Sequence, residues 1–140
     1  MKMVLIVDDE PASRYGLRRA LESRYRIVEA DSAAAARSAL ATEKPDLLLL
    51  DVILPGEDGI SFLRWLRQQG QDVPVLMVSA LDTAKMAVEA LQLGAADYLV
   101  KGFELDELRQ RVANLLKMVT LEQENEVLRH RLASEGNSAR

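Results

Sequence analysis

The 140-residue chain contains no cysteine and one histidine, His130, and these shortages exclude several kinds of site. Without cysteine there is no disulfide framework, no thiolate zinc ligand and no cysteine nucleophile. One histidine cannot by itself supply a histidine-rich metal centre or a Ser-His-Asp triad. We therefore set these classes of metal protein and nucleophilic enzyme aside.

Long apolar runs and an excess of positive charge are also absent. The mostly apolar segment Met1–Val7 runs directly into Asp8, so it is too short for a signal-peptide core or a membrane span. The formal net charge is −4, from 22 acidic and 18 basic residues, whereas nonspecific binding to nucleic acid depends on clustered lysine and arginine. We expect a cytoplasmic protein that itself contacts neither membrane nor nucleic acid.

Aromatic residues are scarce, at 4% of the chain, while hydrophobic residues reach 49% and charged residues 29%. This composition is typical of a globular protein with an aliphatic core. The length fits one domain with a short appendage.

Short runs of consecutive apolar residues recur along the chain. A strand that is buried on both faces shows this pattern, and such strands belong to parallel sheets covered by helices. The predicted strands are Met3–Val7, Ile27–Val28, Leu47–Leu50, Val75–Val78 and Tyr98–Val100.

Helical patterns fill the segments between these runs, and a fifth helix begins near Glu104. The alternation predicts an α/β, doubly wound (flavodoxin-like) five-stranded parallel sheet with five helices, the last of them extended. Ligands of such folds bind outside the carboxyl ends of the strands. The first four predicted helices are Ala12–Ser23, Ser32–Ala41, Ile60–Gln69 and Thr83–Leu93.

The fifth helical pattern meets no glycine or proline before Gly136. It has roughly 30 residues and a length of about 45 Å, which is more than one edge of a small sheet can cover. Its distal half repeats residues at alternating spacings of three and four, as the a and d positions of a coiled coil do. The seam residues are Met118, Leu121, Asn125, Leu128 and Leu132.

A single asparagine at an a position, here Asn125, fixes the register of a parallel two-stranded coiled coil. We therefore expect a sheet domain over 1–117, a helix extension over 118–133 that links two chains in a homodimer, and a polar linker stub over 134–140. A solvated or frayed linker helix is the alternative.

Polar residues follow four of the apolar runs, at the edge where ligands bind. Three converging carboxylates repel one another unless their pKa values rise or a cation binds, and carboxylate and carbonyl oxygens suit Mg²⁺. A lysine and a hydroxyl would supply donors for anionic oxygens, so the set indicates a site that handles a phosphoryl group. The residues are Asp8, Asp9, Asp51, Ser79 and Lys101.

Each of these five residues also has an ordinary structural role. The aspartates and the serine are typical of helix caps and turns, and a lysine is typical of a surface. Five unrelated structural roles at the same edge of one sheet are a weaker explanation than one shared functional site.

Four motifs together resemble the receiver domains of response regulators in two-component signalling, and the resemblance covers Met1 to about Lys117. It implies a signalling module that accepts a phosphoryl group from a sensor histidine kinase, and not an enzyme that turns over a substrate. The motifs are Ile6-Val7-Asp8-Asp9-Glu10, Leu49-Leu50-Asp51-Val52-Ile53-Leu54-Pro55, Val78-Ser79-Ala80 and Asp97-Tyr98-Leu99-Val100-Lys101.

By this resemblance Asp51 is the phosphoacceptor, whose carboxylate attacks phosphohistidine and becomes an acyl phosphate. Asp9 matches the direct Mg²⁺ ligand, and Asp8 matches the acid that acts largely through metal-bound water. With Asp51, the backbone carbonyl of Ile53 would complete the protein ligands of the metal.

The same resemblance assigns the donors and the switch. Ser79 and Lys101 would hold phosphoryl oxygens and share the charge that develops in the transition state. Tyr98 matches the switch aromatic, which turns inward when Ser79 moves toward the phosphoryl group.

Two positions affect these expectations. The family usually places proline after the lysine, with a cis peptide bond, but Gly102 stands here. A cis bond to glycine costs about 2.5–4 kcal/mol, so we expect a trans or strained peptide. This departure bears on the placement of Lys101 and the mobility of the loop more than on the phosphorylation itself. Bulky Ile53 near the site could slow hydrolysis of the phosphoryl group, which the half-life of an Ile53→Asn variant would test.

The output of the module is not encoded by a motif in this chain, because it has no Walker sequence and no evident recognition helix. A receiver followed by a long helix resembles the regulatory region of sigma-54-dependent transcriptional activators. The alternative is a single-domain receiver that docks through the face made by Thr83–Leu93, Tyr98–Val100 and Glu104–Leu115.

Two further hypotheses come from other classes. A Mg²⁺-dependent phosphohydrolase of the haloacid-dehalogenase type also uses an aspartate nucleophile, but it needs a second aspartate where Ile53 stands. A nucleotide-binding flavodoxin-like protein needs a glycine-rich loop where Asp8 and Asp9 would repel phosphates.

Overall fold

The computed structural model describes residues 1–118 and residue 128, and its centre is one parallel sheet. Five strands lie side by side in the order β2-β1-β3-β4-β5, and every neighbouring pair is parallel. The strands are β1 (Met3–Val7), β2 (Arg26–Ala30), β3 (Leu47–Leu50), β4 (Val75–Ser79) and β5 (Asp97–Val100). The predicted doubly wound α/β fold is confirmed.

Strand β2 is longer than the sequence pattern indicated. It lies at an edge of the sheet, and its Arg26 and Glu29 remain exposed while Ala30 is buried. A strand with one free edge does not need to be apolar throughout, so only Ile27 and Val28 stood out.

Five helices cover the two faces of the sheet. Side-chain oxygens of Ser32, Asp58 and Thr83 accept hydrogen bonds from backbone N–H groups at the starts of the second, third and fourth helices. The helices are α1 (Pro11–Leu21), α2 (Ala33–Thr42), α3 (Gly59–Gln68), α4 (Ala84–Gln92) and α5 (105–118).

The core consists of two apolar layers, one on each face of the sheet. Leu48 and Leu50 of β3 pack with Phe62 of α3 on one face. Leu47 and Leu49 pack on the other, under α1 and α5. All four leucines are at most 1% exposed, which explains why the strand is uninterrupted leucine.

Three of the five residues of the predicted coiled-coil seam lie outside the described residues. Met118 and Leu128 are exposed at 57% and 53%, while Leu121, Asn125, Leu132 and the stub 134–140 are not described. The dimer and the boundaries 118–133 and 134–140 therefore stay predictions. Within the described part of the chain, no helix combines the length and the apolar character that crossing a membrane requires.

Candidate functional site

Two buried carboxylates lie side by side at the carboxyl edge of the sheet. Asp8 directly follows β1 and Asp51 directly follows β3, and each is 2% exposed. The strands are neighbours, and the backbone N–H of Asp51 donates to the carbonyl of Val7 at 3.0 Å. The fold therefore forces two negative charges together in a place with little water.

Lys101 directly follows β5, and its ammonium group lies against the carboxylates of Asp8 and Asp51. Its Nζ lies 2.8 Å from Asp51 Oδ2, 2.9 Å from Asp8 Oδ2 and 3.1 Å from Glu10 Oε1. Burial favours the neutral amine, but the hydrogen bonds to Asp51, Asp8 and Glu10 outweigh it, so the pKa of Lys101 lies above its usual range. Lys101 is therefore a fixed cation at the centre of the site.

Other hydrogen bonds orient the two aspartates. Asp8 Oδ1 accepts from the backbone N–H of Glu10 at 3.0 Å, and Asp8 Oδ2 accepts from the Ser13 hydroxyl at 2.7 Å. Asp51 Oδ1 accepts from the backbone N–H of Ile53 at 3.0 Å. Both carboxylates thus have a defined direction before any ligand binds.

The loop after Asp51 is held closely against α3. The backbone N–H of Gly59 donates to the carbonyl of Val52 at 2.8 Å. A Cβ on Gly59 would lie 1.9 Å from the carbonyl oxygen of Asp51, which no side chain can tolerate. Gly59 therefore permits the close approach of helix and loop, and no sequence motif had identified it.

Ser79 and Tyr98 meet on the other side of the site. Ser79, the last residue of β4, is fully buried, and its Oγ accepts from the backbone N–H of Leu81 at 3.4 Å. The Tyr98 hydroxyl donates to the carbonyl of Leu81 at 2.7 Å, and its ring packs partly buried against the core. Burial raises the pKa of Tyr98, against an opposing hydrogen bond with Ser79.

The peptide bond between Lys101 and Gly102 is trans, as expected from the absence of proline. Gly102 has φ of +104°, a conformation that other residues rarely adopt. With this trans peptide, Lys101 Nζ lies 2.8 Å from Asp51 Oδ2. Glycine stands here in place of the usual proline, and the contact between Lys101 and Asp51 is present.

One group of carboxylates in the described residues could hold a cation. Oxygens of Asp8, Glu10 and Asp51 all lie within 4.8 Å of one another. Hard oxygen donors at this spacing fit Mg²⁺. Asp9 is exposed and does not belong to this group. Glu10 belongs to it, although no sequence motif indicated Glu10 as a ligand. The assignments of Asp9 and of the Ile53 carbonyl as metal ligands stay predictions.

Comparison with known proteins agrees with this arrangement. The family model "Response regulator receiver domain" matches residues 4–113. Response regulator MprA from Mycobacterium ulcerans is 41% identical over 120 residues, which cover 85% of this chain and 52% of the relative. The chain therefore spans about half the length of that relative.

Solved structures show the same fold. The receiver domain of Francisella response regulator 1452 is 34% identical with a TM-score of 0.80, and the match covers 84% of this chain and 98% of that one. NtrX from Brucella abortus is 30% identical with a TM-score of 0.86, over 95% of this chain and 30% of its own.

Proposed function

Because this chain belongs to the family of response regulator receiver domains, we propose that it is a phosphorylation-controlled signalling switch whose phosphoacceptor is Asp51. The phosphoryl donor would be a phosphohistidine on a sensor histidine kinase in the cytoplasm. The observation that carries the proposal is the contact of Lys101 Nζ with both Asp51 and Asp8, at 2.8 and 2.9 Å.

In the proposed transfer an oxygen of Asp51 attacks phosphorus as the bond from phosphorus to the imidazole nitrogen breaks. The aspartate becomes an acyl phosphate, and the imidazole leaves as a neutral ring after it takes up a proton from water. Asp51 suits this role because its Oδ1 is fixed by the Ile53 N–H and its Oδ2 by Lys101.

The neighbours of Asp51 would stabilise the charge that moves through the transition state. Lys101 would transfer one of its hydrogen bonds to a phosphoryl oxygen, and the Ser79 hydroxyl would donate to another. Mg²⁺, held by Asp8, Asp9, Asp51 and the Ile53 carbonyl, would neutralise the remaining oxygens when it is bound.

Phosphorylation would then act on the contact between Ser79, Leu81 and Tyr98. The Tyr98 hydroxyl already lies 2.7 Å from the Leu81 carbonyl, so movement of Ser79 toward a phosphoryl group would change the environment of the ring directly. The two arrangements would form the two-state equilibrium of the switch.

The output would belong to a domain outside this chain. The match to only part of MprA and of NtrX supports such a domain, and we propose a transcriptional one, of the sigma-54-dependent activator type. The helix that continues from α5 would link two chains through its seam.

A second candidate is a receiver that signals by docking alone. Four exposed apolar side chains on α4, β5 and the start of α5 favour it, because exposed apolar side chains that cluster mark interaction sites. These residues are Val88, Leu91, Val100 and Leu105, which are 39–51% exposed.

The test is intact mass spectrometry after incubation with Mg²⁺ and acetyl phosphate, with sedimentation of the same samples. Wild type is expected to gain the mass of one phosphoryl group, while Asp51→Asn gains none because the amide is not a nucleophile. Equal gains in both proteins would disprove Asp51 as the acceptor. Sedimentation would show whether phosphorylation breaks a dimer or forms one, which is the direction of the switch.

A further inference from the structure

Glu10 is a third acidic partner of Lys101, and the phosphoryl transfer proposed above does not use it. Its Oε1 lies 3.1 Å from Lys101 Nζ, and its side chain is 65% exposed. The side chains of Asp8 and Asp51 are each only 2% exposed. Glu10 is therefore the solvent-exposed partner of Lys101, and the two aspartates are its buried partners.

Lys101 cannot keep all three partners once a phosphoryl oxygen needs a hydrogen bond from it. An ammonium group has three donors, and here oxygens of three carboxylates already lie within 3.1 Å of Lys101 Nζ. The contact with Glu10 is the longest and the most exposed, so water replaces it at the smallest cost. Glu10 is the partner that Lys101 gives up first.

The charge of Glu10 also faces any ligand that enters from solvent. A small acyl phosphate carries two negative charges, and the carboxylate of Glu10, 3.1 Å from Lys101 Nζ, would repel it near Asp51. A phosphohistidine on a kinase is positioned by contacts over a whole protein surface, so one additional charge affects its approach less.

We propose that Glu10 is a positioning and selectivity residue. It holds Lys101 in place before phosphorylation and repels small dianionic phosphodonors, so that the site favours a protein donor. The inference rests on the proposed function, because it concerns the same transfer to Asp51. With an acyl phosphate, the Asp51 oxygen bonds to phosphorus, the bond between phosphorus and the acyl oxygen breaks, and a carboxylate leaves without needing a proton.

The test compares wild type with Glu10→Gln, which keeps the shape of the side chain and removes its charge. Rates of phosphorylation are measured by mass spectrometry with acetyl phosphate, which carries two negative charges, and with phosphoramidate, which carries one net negative charge. Glu43→Gln is the matched control, because Glu43 follows α2 at the opposite edge of the sheet. Among the described residues its carboxylate forms an ion pair only with Arg26, at 3.8 Å.

Glu10→Gln is expected to raise the rate with acetyl phosphate by about three- to tenfold at low salt. The gain should be smaller with phosphoramidate and should shrink as salt is added, since salt screens exposed charges. Glu43→Gln should change either rate by less than about twofold.

The outcomes separate this inference from the function on which it rests. No phosphoryl group on either wild type or Glu10→Gln, with either donor, would overturn both. Equal rates for wild type and Glu10→Gln, or an equal gain with both donors, would overturn the role of Glu10 alone. A slower rate together with weaker Mg²⁺ binding would overturn it too, because Glu10 would then be a metal ligand.

Discussion

At the scale of single residues, the absence of a side chain at Gly59 matters as much as the presence of the charged groups. The α3 backbone approaches the carbonyl of Asp51 so closely that a Cβ would lie 1.9 Å from its oxygen. Any other residue has to push apart the helix and the loop that carries the phosphoacceptor. This close approach connects the stability of the fold with the geometry of the site.

We predict that Gly59→Ala lowers the free energy of unfolding by about 1–3 kcal/mol, as overpacked positions do. It should also slow phosphorylation, because the backbone of Asp51 has to shift. The control is Gly16→Ala in α1, where a Cβ meets nothing within 4 Å. That change should be neutral or stabilise the helix by up to about 1 kcal/mol. Urea unfolding of both variants measures the difference, and equal stabilities would contradict the prediction.

Much of the site could be predicted from the sequence alone. The carboxyl ends of parallel strands lie at one edge of the sheet, so the residues that follow the strands come together there. Asp8, Asp51, Ser79 and Lys101 were selected only as polar residues that follow apolar runs, and the structure places all four at that edge. The contact of Glu10 with Lys101 could not be predicted, since it depends on the side-chain path of an exposed residue. The same holds for Gly59, whose role follows from a backbone distance.

At the scale of elements, burial decided which strands could be recognised from the sequence. Strands β1, β3 and β4 are central, covered on both faces, and apolar throughout, apart from the closing Ser79. The edge strand β2 alternates charged and apolar residues irregularly, so its ends were missed. Helix starts were close to those predicted because their caps are local features.

Arg67 joins three elements through backbone carbonyls. Its guanidinium donates to the carbonyls of Gln71 and Val73 before β4 and to that of Gly94 after α4, at 2.8–2.9 Å. Burial lowers the pKa of Arg67, but arginine remains charged in proteins at any ordinary pH. One side chain at the end of α3 thus fixes both neighbouring connections.

We predict that Arg67→Met destabilises the fold by about 1–3 kcal/mol, because three carbonyls lose a charged donor. Arg64→Met is the matched control: Arg64 also lies on α3, but its contact with Glu89 is long, at 3.8 Å, and exposed. Such a surface pair contributes about 0–1 kcal/mol. Unfolding in urea, followed by the fluorescence of Trp65, should show a larger loss for Arg67→Met, and similar losses would refute the role given to Arg67.

At the scale of the whole molecule, the proposed homodimer has two candidate contact surfaces. One is the group of exposed apolar side chains on α4, β5 and α5, which are Val88, Leu91, Val100 and Leu105. The other is the predicted seam from Met118 to Leu132. The two surfaces imply different assemblies, because the seam would join parallel helices while the sheet-domain face would join the receivers themselves.

We predict that Leu128→Glu weakens the dimer at least about tenfold, because a carboxylate at a coiled-coil seam has to be buried without a partner. Leu91→Glu is the matched variant: Leu128 and Leu91 are similarly exposed in the single chain, at 53% and 47%, but Leu91 lies on α4. Sedimentation equilibrium should find a monomer only for Leu128→Glu, while both variants still accept a phosphoryl group. A monomer only for Leu91→Glu would instead identify the face of α4, β5 and α5 as the dimer contact. The predicted extension over 118–133 would then connect domains without pairing, and phosphorylation would act on assembly through Tyr98, which lies on the same face.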